Sequence, residues 1–517
     1  MGIFIHLKVS DTVTKDEWKQ VYDKSFLMAQ KFGFIDFGRK DIHGENILCM
    51  FPTEERQLGN RQGWRVVGTL PDYKRAEDQF MPKDIGTAGS SLQPYDVLRS
   101  EFHRIKKEDN ERHFHILWGN KTQGEPYHMG LLAIGCMAEQ MLGAQAMVCG
   151  DITYGQCVRA AKLASEVLEE EIQPPITCSL QDLYERVQCF NELTEMERLR
   201  LLLSVYLENE NDAYGTFLRE HFSPDTLNTY WQAECKDTKI NTYGFDSLMK
   251  RYFMLSPDIR RFCELAEFDK TNSEQCTDFI KKIMQSRMHM QDKDCYDPLD
   301  YKHYEIPYGI GNLFASIFLR GAANPAIDRY IPLDEIRAVL TEKFGSVLNV
   351  NDAIDTCLKE IEYPAEESGH EMLMRHAEEK QTKESELHEK YDMNKYDELC
   401  DFQPDRKMSP GLTEAVAKAF RLFQKNGSSE ECAALLLKSA DKLFHYLAAN
   451  LDGYFLTNEH WEHIYSELHK DKQIFRRYYS LVRVTHNGDL EYLLRAFILD
   501  DVFWNYCCEH FSEDSEK

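Results

Sequence analysis

The sequence has no long uninterrupted hydrophobic run. The longest, from Ile310 to Leu319, contains a glycine and an asparagine and ends at Arg320, so it is too short and too polar to span a bilayer. Residues 1–6 lack the positively charged head and apolar block of a signal peptide, and His6 stands where a myristoylation signal requires Ser or Thr. We therefore expect a soluble cytoplasmic protein with no membrane partner.

Paired cysteines are also missing. The 15 cysteines are scattered, with no Cys-x-x-Cys, and only Cys507 and Cys508 are adjacent. This spacing supports neither a metal-thiolate finger nor a secreted disulfide framework. We expect reduced, mostly buried thiols and no metal.

Catalytic signatures are absent too. The chain has no Gly-x-Ser-x-Gly elbow and no kinase, dinucleotide-binding or deaminase motif. The loop from Gly119 to Gly124 has the glycine spacing of a phosphate-binding loop, but Glu125 and Pro126 follow where that chemistry needs Lys and Ser or Thr. A carboxylate repels phosphate, and both residues suit an ordinary helix start. No cofactor is predicted, and enzymatic activity is left open but not favoured.

Positive charge is scarce. The 61 Lys and Arg residues against 87 Asp and Glu residues give a formal net charge of −26. Nucleic acid is therefore an unfavourable partner. The acidity is more often a solubility device than a functional surface, and a basic protein partner is the alternative. A hydrophobic fraction of 43% is ample for globular packing, and 517 residues correspond to about three domains.

Residues 1–175 are predicted to alternate between strands and helices. A βαβα unit is predicted, and short strands and a loop are expected before it. The unit consists of strand His113–Trp118, helix Pro126–Leu142, strand Ala144–Gly150 and helix Thr153–Glu171; the earlier segments are strands Ile3–Val9, Asn46–Phe51 and Trp64–Leu70, and loop Pro71–Pro94. We interpret residues 1–175 as an α/β or α+β domain.

Beyond Pro174 and Pro175 the hydrophobic period becomes helical. Residues 176–361 predict a helical domain, which includes a helix over 312–319 and forms an irregular array because no fixed repeat of a regular solenoid is present. Residues 362–407 are acidic and favour a charged linker or a solvated helix. Cap signals predict a C-terminal helical domain over 408–517, including one helix from Cys432 to Leu451.

A candidate site lies in the βαβα unit. If its two strands are parallel, both following loops emerge at the same carboxyl edge, where open α/β sheets bind ligands. Lys121, Glu125, His128 and Asp151 would then converge as an acid–base set. The structural alternative is that Asp151 fixes a turn with Thr153, that His128 faces solvent and that Lys121 is a surface charge.

Histidine pairs give weaker signals. His370 and His376 are six residues apart, which places them on different faces of a helix, and His460 and His463 have no acid or Cys arranged as a further ligand. The same holds for His113 and His115. These patterns do not predict a metal site.

The leading hypothesis is a multidomain protein-interaction protein whose helical surface engages a partner of unidentified type. One alternative is an enzyme or small-ligand sensor that uses the carboxyl edge of strands 113–118 and 144–150. The other is an acidic inhibitor or immunity-type protein that neutralises a basic effector.

Overall fold

The computed structural model describes residues 2–69, 75–86, 94–106, 113–207, 211–236, 238–293, 326–362, 408, 410–451, 456–483, 496–497 and 500–511. The chain divides into two compact units. The first unit consists of Met1–Ser25 and Asp84–His376, and the second unit consists of Phe26–Lys83 and Ala377–Lys517. Each unit is therefore built from two separate stretches of sequence.

The described residues contain an N-terminal region rich in strands, followed by mostly helical segments. The strands are β1 (Ile5–Ser10), β2 (Phe34–Ile42), β3 (Glu45–Pro52), β4 (Arg56–Leu58), β5 (Arg61–Thr69), β6 (Arg75–Pro82), β7 (Phe114–Leu117) and β8 (Ala146–Gly150). The helices are α1 (Lys15–Lys31), α2 (Arg99–Lys106), α3 (Tyr127–Leu142), α4 (Tyr154–Leu168), α5 (Leu180–Gln188), α6 (Glu195–Val205), α7 (Asp212–His221), α8 (Pro224–Cys235), α9 (Tyr243–Leu255), α10 (Ile259–Leu265), α11 (Ser273–Gln285), α12 (Leu333–Phe344), α13 (Val350–Glu362), α14 (Pro410–Gly427), α15 (Glu430–Leu436), α16 (Ala440–Asn450), α17 (Asn458–Lys470), α18 (Phe475–Arg483) and α19 (Asp501–Phe511).

The first unit contains a three-stranded sheet in the order β7-β1-β8. Leu7, in the central strand β1, pairs antiparallel with Leu117 of β7 and with Val148 of β8. Because both outer strands are antiparallel to β1, they run in the same direction as each other without being neighbours. The strands of the predicted βαβα unit therefore share a direction, but the N-terminal strand lies between them.

Helix α3 follows β7 and carries the chain across to β8. Most of its side chains are buried, as its nearly uninterrupted apolar sequence requires. It approaches the sheet tightly at Gly135, where an added Cβ would lie 2.7 Å from Cγ2 of Val148. Helix α4 then packs against α3.

The rest of the first unit is helical. Helices α5 to α13 share one hydrophobic cluster with an aromatic centre that includes Phe245, Phe262 and Phe279. Local sequence defines where these helices begin, because a Ser, Thr, Asn or Asp side chain accepts a hydrogen bond from a first-turn amide. Such N-caps are Ser179, Thr194, Asn211, Ser223, Thr242, Asp258 and Asn272.

The second unit combines the other sheet with helices α14 to α19. Its strand order is β3-β2-β5-β4, and β6 pairs with β5. Strands β2 and β3 form a hairpin whose turn residues, His43 and Gly44, have φ of 50° and 85°, as a two-residue hairpin turn of the primed type requires. Ile42 and Ile47 at the end of this hairpin are buried in the same hydrophobic cluster as the helices.

The structure corrects several predicted elements. β6 occupies Arg75–Pro82, inside the segment expected to be a loop, and the single helix expected from Cys432 is two helices, α15 and α16. The predicted helix over 312–319 and nearly all of the acidic segment 362–407, with His370 and His376, lie outside the described residues. The predicted domain boundaries at 175, 361 and 407 stay predictions.

Across the described ranges, no helix combines the length and apolar character that crossing a membrane requires.

Candidate functional site

The two strand ends predicted to bind a ligand lie at one edge of the sheet of the first unit. Leu117 at the end of β7 pairs with Leu7, and Gly150 at the end of β8 pairs with Ile5. Both following loops therefore leave the sheet beside the beginning of β1. Residues 2–4, which precede β1, contact both loops.

Main-chain hydrogen bonds hold this N-terminal segment in place. The amides of Thr122 and Gln123 donate to the carbonyl oxygen of Ile3 at 2.9 and 3.3 Å. On the other side, the Asp151 amide donates to the Phe4 carbonyl at 2.8 Å, and the Phe4 amide donates to Oδ2 of Asp151 at 2.8 Å. The Ile3 side chain is only 1% exposed, so the chain's own residues occupy this part of the edge.

His128 lies beneath this segment and does not face solvent, which corrects the structural alternative considered above. Its side chain is 1% exposed, and its Nδ1 lies 2.7 Å from Oγ1 of Thr122. Burial lowers the pKa of His128 to about 4, because the charged imidazolium would lose its hydration. The ring is therefore neutral near pH 7.

Thr122 links His128 to the N-terminal segment. Its hydroxyl lies 3.2 Å from the carbonyl oxygen of Ile3 as well as 2.7 Å from the His128 ring. The hydroxyl has one proton, so it donates to only one of these acceptors at a time. When it donates to Ile3, a His128 tautomer with a proton on Nδ1 completes the chain of hydrogen bonds.

Lys121 and Glu125 are half-buried at the same loop. Lys121 forms an antiparallel bridge with Phe4, and a Cβ added to Gly2 would lie 2.5 Å from Cδ of Lys121. Glu125 belongs to the turn that begins α3: its amide donates to the Thr122 carbonyl, and its own carbonyl accepts from the His128 amide. The acid and proline after the glycine loop thus lie at a helix start, as their residue types predicted.

Asp151 fixes the turn at the end of β8. It follows Gly150, whose φ is 128° and where an added Cβ would lie 2.6 Å from the Phe4 carbonyl oxygen, so a larger residue would push the N-terminal segment away. Thr153 and Gln156 form a capping box at the start of α4, with hydrogen bonds of 3.1 Å in both directions. Asp151 is thus committed to main-chain hydrogen bonding.

The four predicted residues surround the N-terminal segment rather than an open pocket. Lys121 and Asp151 contact Phe4, whereas His128 and Glu125 contact the loop beneath it. The Nε2 atom of His128 has no hydrogen-bond partner in the part of the chain that the structure describes. Because the side chain is 1% exposed, this atom is not accessible to an external ligand in the described conformation. The arrangement joins three chain segments, and its histidine ring is buried.

A second cluster of titratable groups, in the second unit, was not predicted. The hairpin turn places His43 against α17, where its ring stacks on Tyr465 with centroids 3.5 Å apart and its Nε2 lies 2.7 Å from Oε2 of Glu462. Two residues further along the hairpin, Glu45 lies 2.8 Å from Nδ1 of His445 on α16. The hairpin and the helices thus each supply one histidine and one carboxylate.

Tyr465 extends this cluster along α17. His469 packs on its ring at 4.2 Å, and both the Tyr465 hydroxyl and Nε2 of His469 contact Oδ1 of Asp441, at 3.3 and 3.1 Å. The sequence separation of about 400 residues between hairpin and helices explains why no local pattern indicates these pairs. The cluster joins the hairpin to the helices.

The helical pair His460 and His463 does not share a ligand. His460 completes a capping box with Thr457, whose Oγ1 lies 2.9 Å from its Nδ1, and burial lowers the pKa of His460 to about 4. His463 instead lies 3.4 Å from Asp501. Within the described ranges, no group of three or more His, Cys, Asp or Glu residues could hold a metal ion.

A cleft of about 530 Å³ lies between α8, α10 and the loop that follows α10. Its charged side chains are largely paired: Glu264 contacts Arg261 and Lys343 at 2.9 Å, and the ammonium group of Lys270 donates to the Glu264 carbonyl at 2.8 Å. The cleft is open to solvent, and positively and negatively charged side chains alternate along its lining. It therefore offers no concentrated charge of one sign to a small ligand.

Buried thiols and a buried carboxylate lie near α3. Cys136 and Glu139 are on that helix, Cys157 is on α4, and Cys178 follows in the chain as a half-buried thiol. Burial together with the neighbouring thiol and carboxylate groups raises the pKa of Cys136 and of Cys157, which makes both poor nucleophiles. Glu139 accepts hydrogen bonds from the amides of Val148 and Ile176, at 3.0 and 2.8 Å. This group is structural.

Comparison of the chain with protein-family models, with curated proteins and with solved structures finds no match.

Proposed function

We propose that this chain is a protein-interaction protein that binds its partner on its surface. The observation that carries the proposal is the occupation of the strand ends by Ile3 and Phe4, which contact Thr122, Gln123 and Asp151. Two members of the acid–base set that favoured a small ligand, the Asp151 carboxylate and the His128 ring, are thereby engaged by the chain itself. A partner that binds to the protein surface does not require residues 2–4 to leave the loops that follow β7 and β8.

Charge supports the choice of partner. A protein with a formal net charge of −26 attracts a basic surface at long range and repels a second copy of itself. The proposed partner is therefore a basic protein, bound within the cytoplasm. Neutralisation of a basic effector is a special case of this proposal.

A small-ligand sensor is the second candidate function. It is favoured by the unpartnered Nε2 of buried His128 and by the left-handed backbone of Trp118 and Gln123, with φ of 59° and 55°. Strained backbone of this kind is concentrated at functional sites. In this reading, release of residues 2–4 would expose His128, and a variant that lacks these residues would gain small-molecule binding in a thermal-shift screen.

The test of the interaction proposal is affinity purification of the tagged full chain from a native extract, with quantitative mass spectrometry. At about 0.15 M salt we expect a basic partner in stoichiometric amount, and at about 1 M salt we expect most of it to be lost, because screening weakens attraction between exposed charges. Recovery of no stoichiometric partner at the lower salt concentration would contradict the proposal.

A further inference from the structure

The two outer strands of the first unit's sheet differ in what covers them. In β8, the alternation of hydrogen-bonded pairs points the Val148 amide away from β1, and Oε2 of Glu139 accepts its hydrogen bond at 3.0 Å. Met147 and Val148 are also buried. The β8 edge is therefore closed by a side chain of the same unit.

In the part of the chain that the structure describes, no side chain accepts a hydrogen bond from strand β7 in this way. The Asp11 amide donates to the His113 carbonyl in continuation of the β1–β7 register, so His113, His115 and Leu117 face β1 with their main-chain groups. The main-chain N–H and C=O groups of Phe114 and Ile116 consequently point outward. Within the described ranges, no hydrogen bond is formed across this edge.

The side chains of β7 do not discourage strand addition. Its sequence, Phe-His-Ile-Leu, contains no Lys, Arg, Asp, Glu or Pro, which are the residues that usually protect an edge strand from pairing. Ile116 is 45% exposed, and Phe114 on the same face is half-buried. The edge thus presents unpaired polar main chain beside an apolar side chain.

We propose that an extended segment of a basic protein partner adds to β7 as a fourth strand. This inference rests on the interaction function proposed above and locates its binding surface. In an antiparallel register, Phe114 and Ile116 can each exchange two hydrogen bonds with one residue of the added strand. The added segment is expected to alternate lysines with apolar residues. One apolar side chain would pack on Ile116, and the lysines would be attracted by the net negative charge of the protein. A second copy of this chain fits less well, since each copy carries −26.

The experiment uses a defined probe on the full chain. A fluorescein-labelled peptide of alternating lysine and valine is titrated against the protein and followed by anisotropy. Two control peptides are used: one with glutamate in place of lysine, and one N-methylated at alternate amides, which cannot form the strand hydrogen bonds. We expect the lysine peptide to bind at least tenfold more tightly than either control. Equal binding of all three peptides, or no binding of the lysine peptide, overturns the proposal.

Variants locate the site. Ile116→Pro removes an outward amide at a position where an edge strand tolerates proline, and Ile116→Thr keeps that amide but loses the apolar side chain. Val158→Thr is the matched control, because Val158 is 41% exposed on α4. We expect at least a tenfold loss of affinity for Ile116→Pro, a smaller loss for Ile116→Thr and none for Val158→Thr. Unchanged binding by a folded Ile116→Pro protein overturns the proposal.

Residue-resolved hydrogen exchange on the unmodified protein decides the case even if Ile116→Pro fails to fold. Peptide binding is expected to slow exchange of the Phe114 and Ile116 amides, and unchanged exchange there at saturating peptide overturns the proposed site. If a native partner is recovered equally by the wild type and by Ile116→Pro, the interaction function stands while β7 is excluded as its surface.

Discussion

At the scale of single residues, buried polar groups join distant segments of the chain through hydrogen bonds. His128 contacts Thr122 beneath Ile3 and Phe4, and Glu139 binds two main-chain amides. Sequence reasoning predicted that Lys121, His128 and Asp151 converge; in the structure Lys121 and Asp151 contact Phe4, and His128 contacts Thr122. It could not predict that Ile3 would cover them, because the contact joins residues 119 positions apart in the chain.

The low pKa of His128 predicts a pH dependence of stability. Between pH about 6.5 and about 4, the unfolded chain binds a proton on this ring that the folded chain does not bind. The free energy of unfolding therefore falls as the pH falls through this range, by about 2 kcal/mol between pH about 7.5 and about 5, and is independent of this group above it.

Chemical denaturation at both pH values checks this effect. In His128→Gln, the decrease in the free energy of unfolding between the two pH values should be smaller by about 2 kcal/mol. In the control His113→Gln, where an exposed histidine is replaced, the decrease should equal that of the wild type. Identical pH dependence in the wild type and in His128→Gln would show that the buried ring does not have the low pKa.

Asp36 offers a second test at a single residue. Its carboxylate is fully buried in the second unit, where Arg65 donates to it at 2.7 Å and Arg56 forms a second ion pair. Burial raises the pKa of Asp36, and the two arginines oppose this rise. Asp36→Ala removes the buried counter-charge of two guanidinium groups, although Arg65 keeps a 3.9 Å contact with Asp78, so we expect the free energy of unfolding to fall by about 3 kcal/mol. Urea denaturation measures this loss; Glu54→Gln is the exposed control, and a loss as small as that of the control would exclude the buried ion pair.

At the scale of elements, helices were easier to predict than strands. Caps such as Thr194 lie within a few residues of the helix they begin, so the sequence carries the signal locally. Strand β2 was missed because Asp36 interrupts its apolar pattern, and the partners that neutralise Asp36 lie on β4 and β5. Strand β6 was missed because its residues are polar, and its pairing with β5 stabilises it instead.

The contact between α3 and β8 gives a prediction at this scale. Gly135→Ala places a Cβ within 3 Å of Val148, so we expect it to lower the free energy of unfolding by about 1–3 kcal/mol. Val148→Ala in the same chain removes the clashing methyl groups and should recover part of the loss. Gly119→Ala, where an added Cβ meets nothing within 4 Å, is the control.

A double-mutant cycle on Gly135 and Val148 measures the coupling between the helix and the strand. Strictly additive losses would mean that α3 does not approach β8 this closely.

At the scale of the whole molecule, hydrophobic periodicity predicted an N-terminal region with strands followed by mostly helical segments. It did not predict that residues 26–83 form a compact unit with residues from the C-terminal part of the chain. The hairpin's Ile42 and Ile47 share a hydrophobic cluster with Phe444 and Trp461, and His43 and Glu45 pair with helices about 400 residues later. Such contacts depend on tertiary packing, which periodicity and caps do not encode.

Residues 2–4 close the strand ends, whereas no described residue forms a hydrogen bond across the outer edge of β7. Residue-resolved hydrogen exchange of the free protein tests both parts in one measurement. We expect slow exchange at the amides of Phe4, Thr122 and Asp151, and fast exchange at those of Phe114 and Ile116. Fast exchange at the first three amides, or slow exchange at the last two, would contradict it.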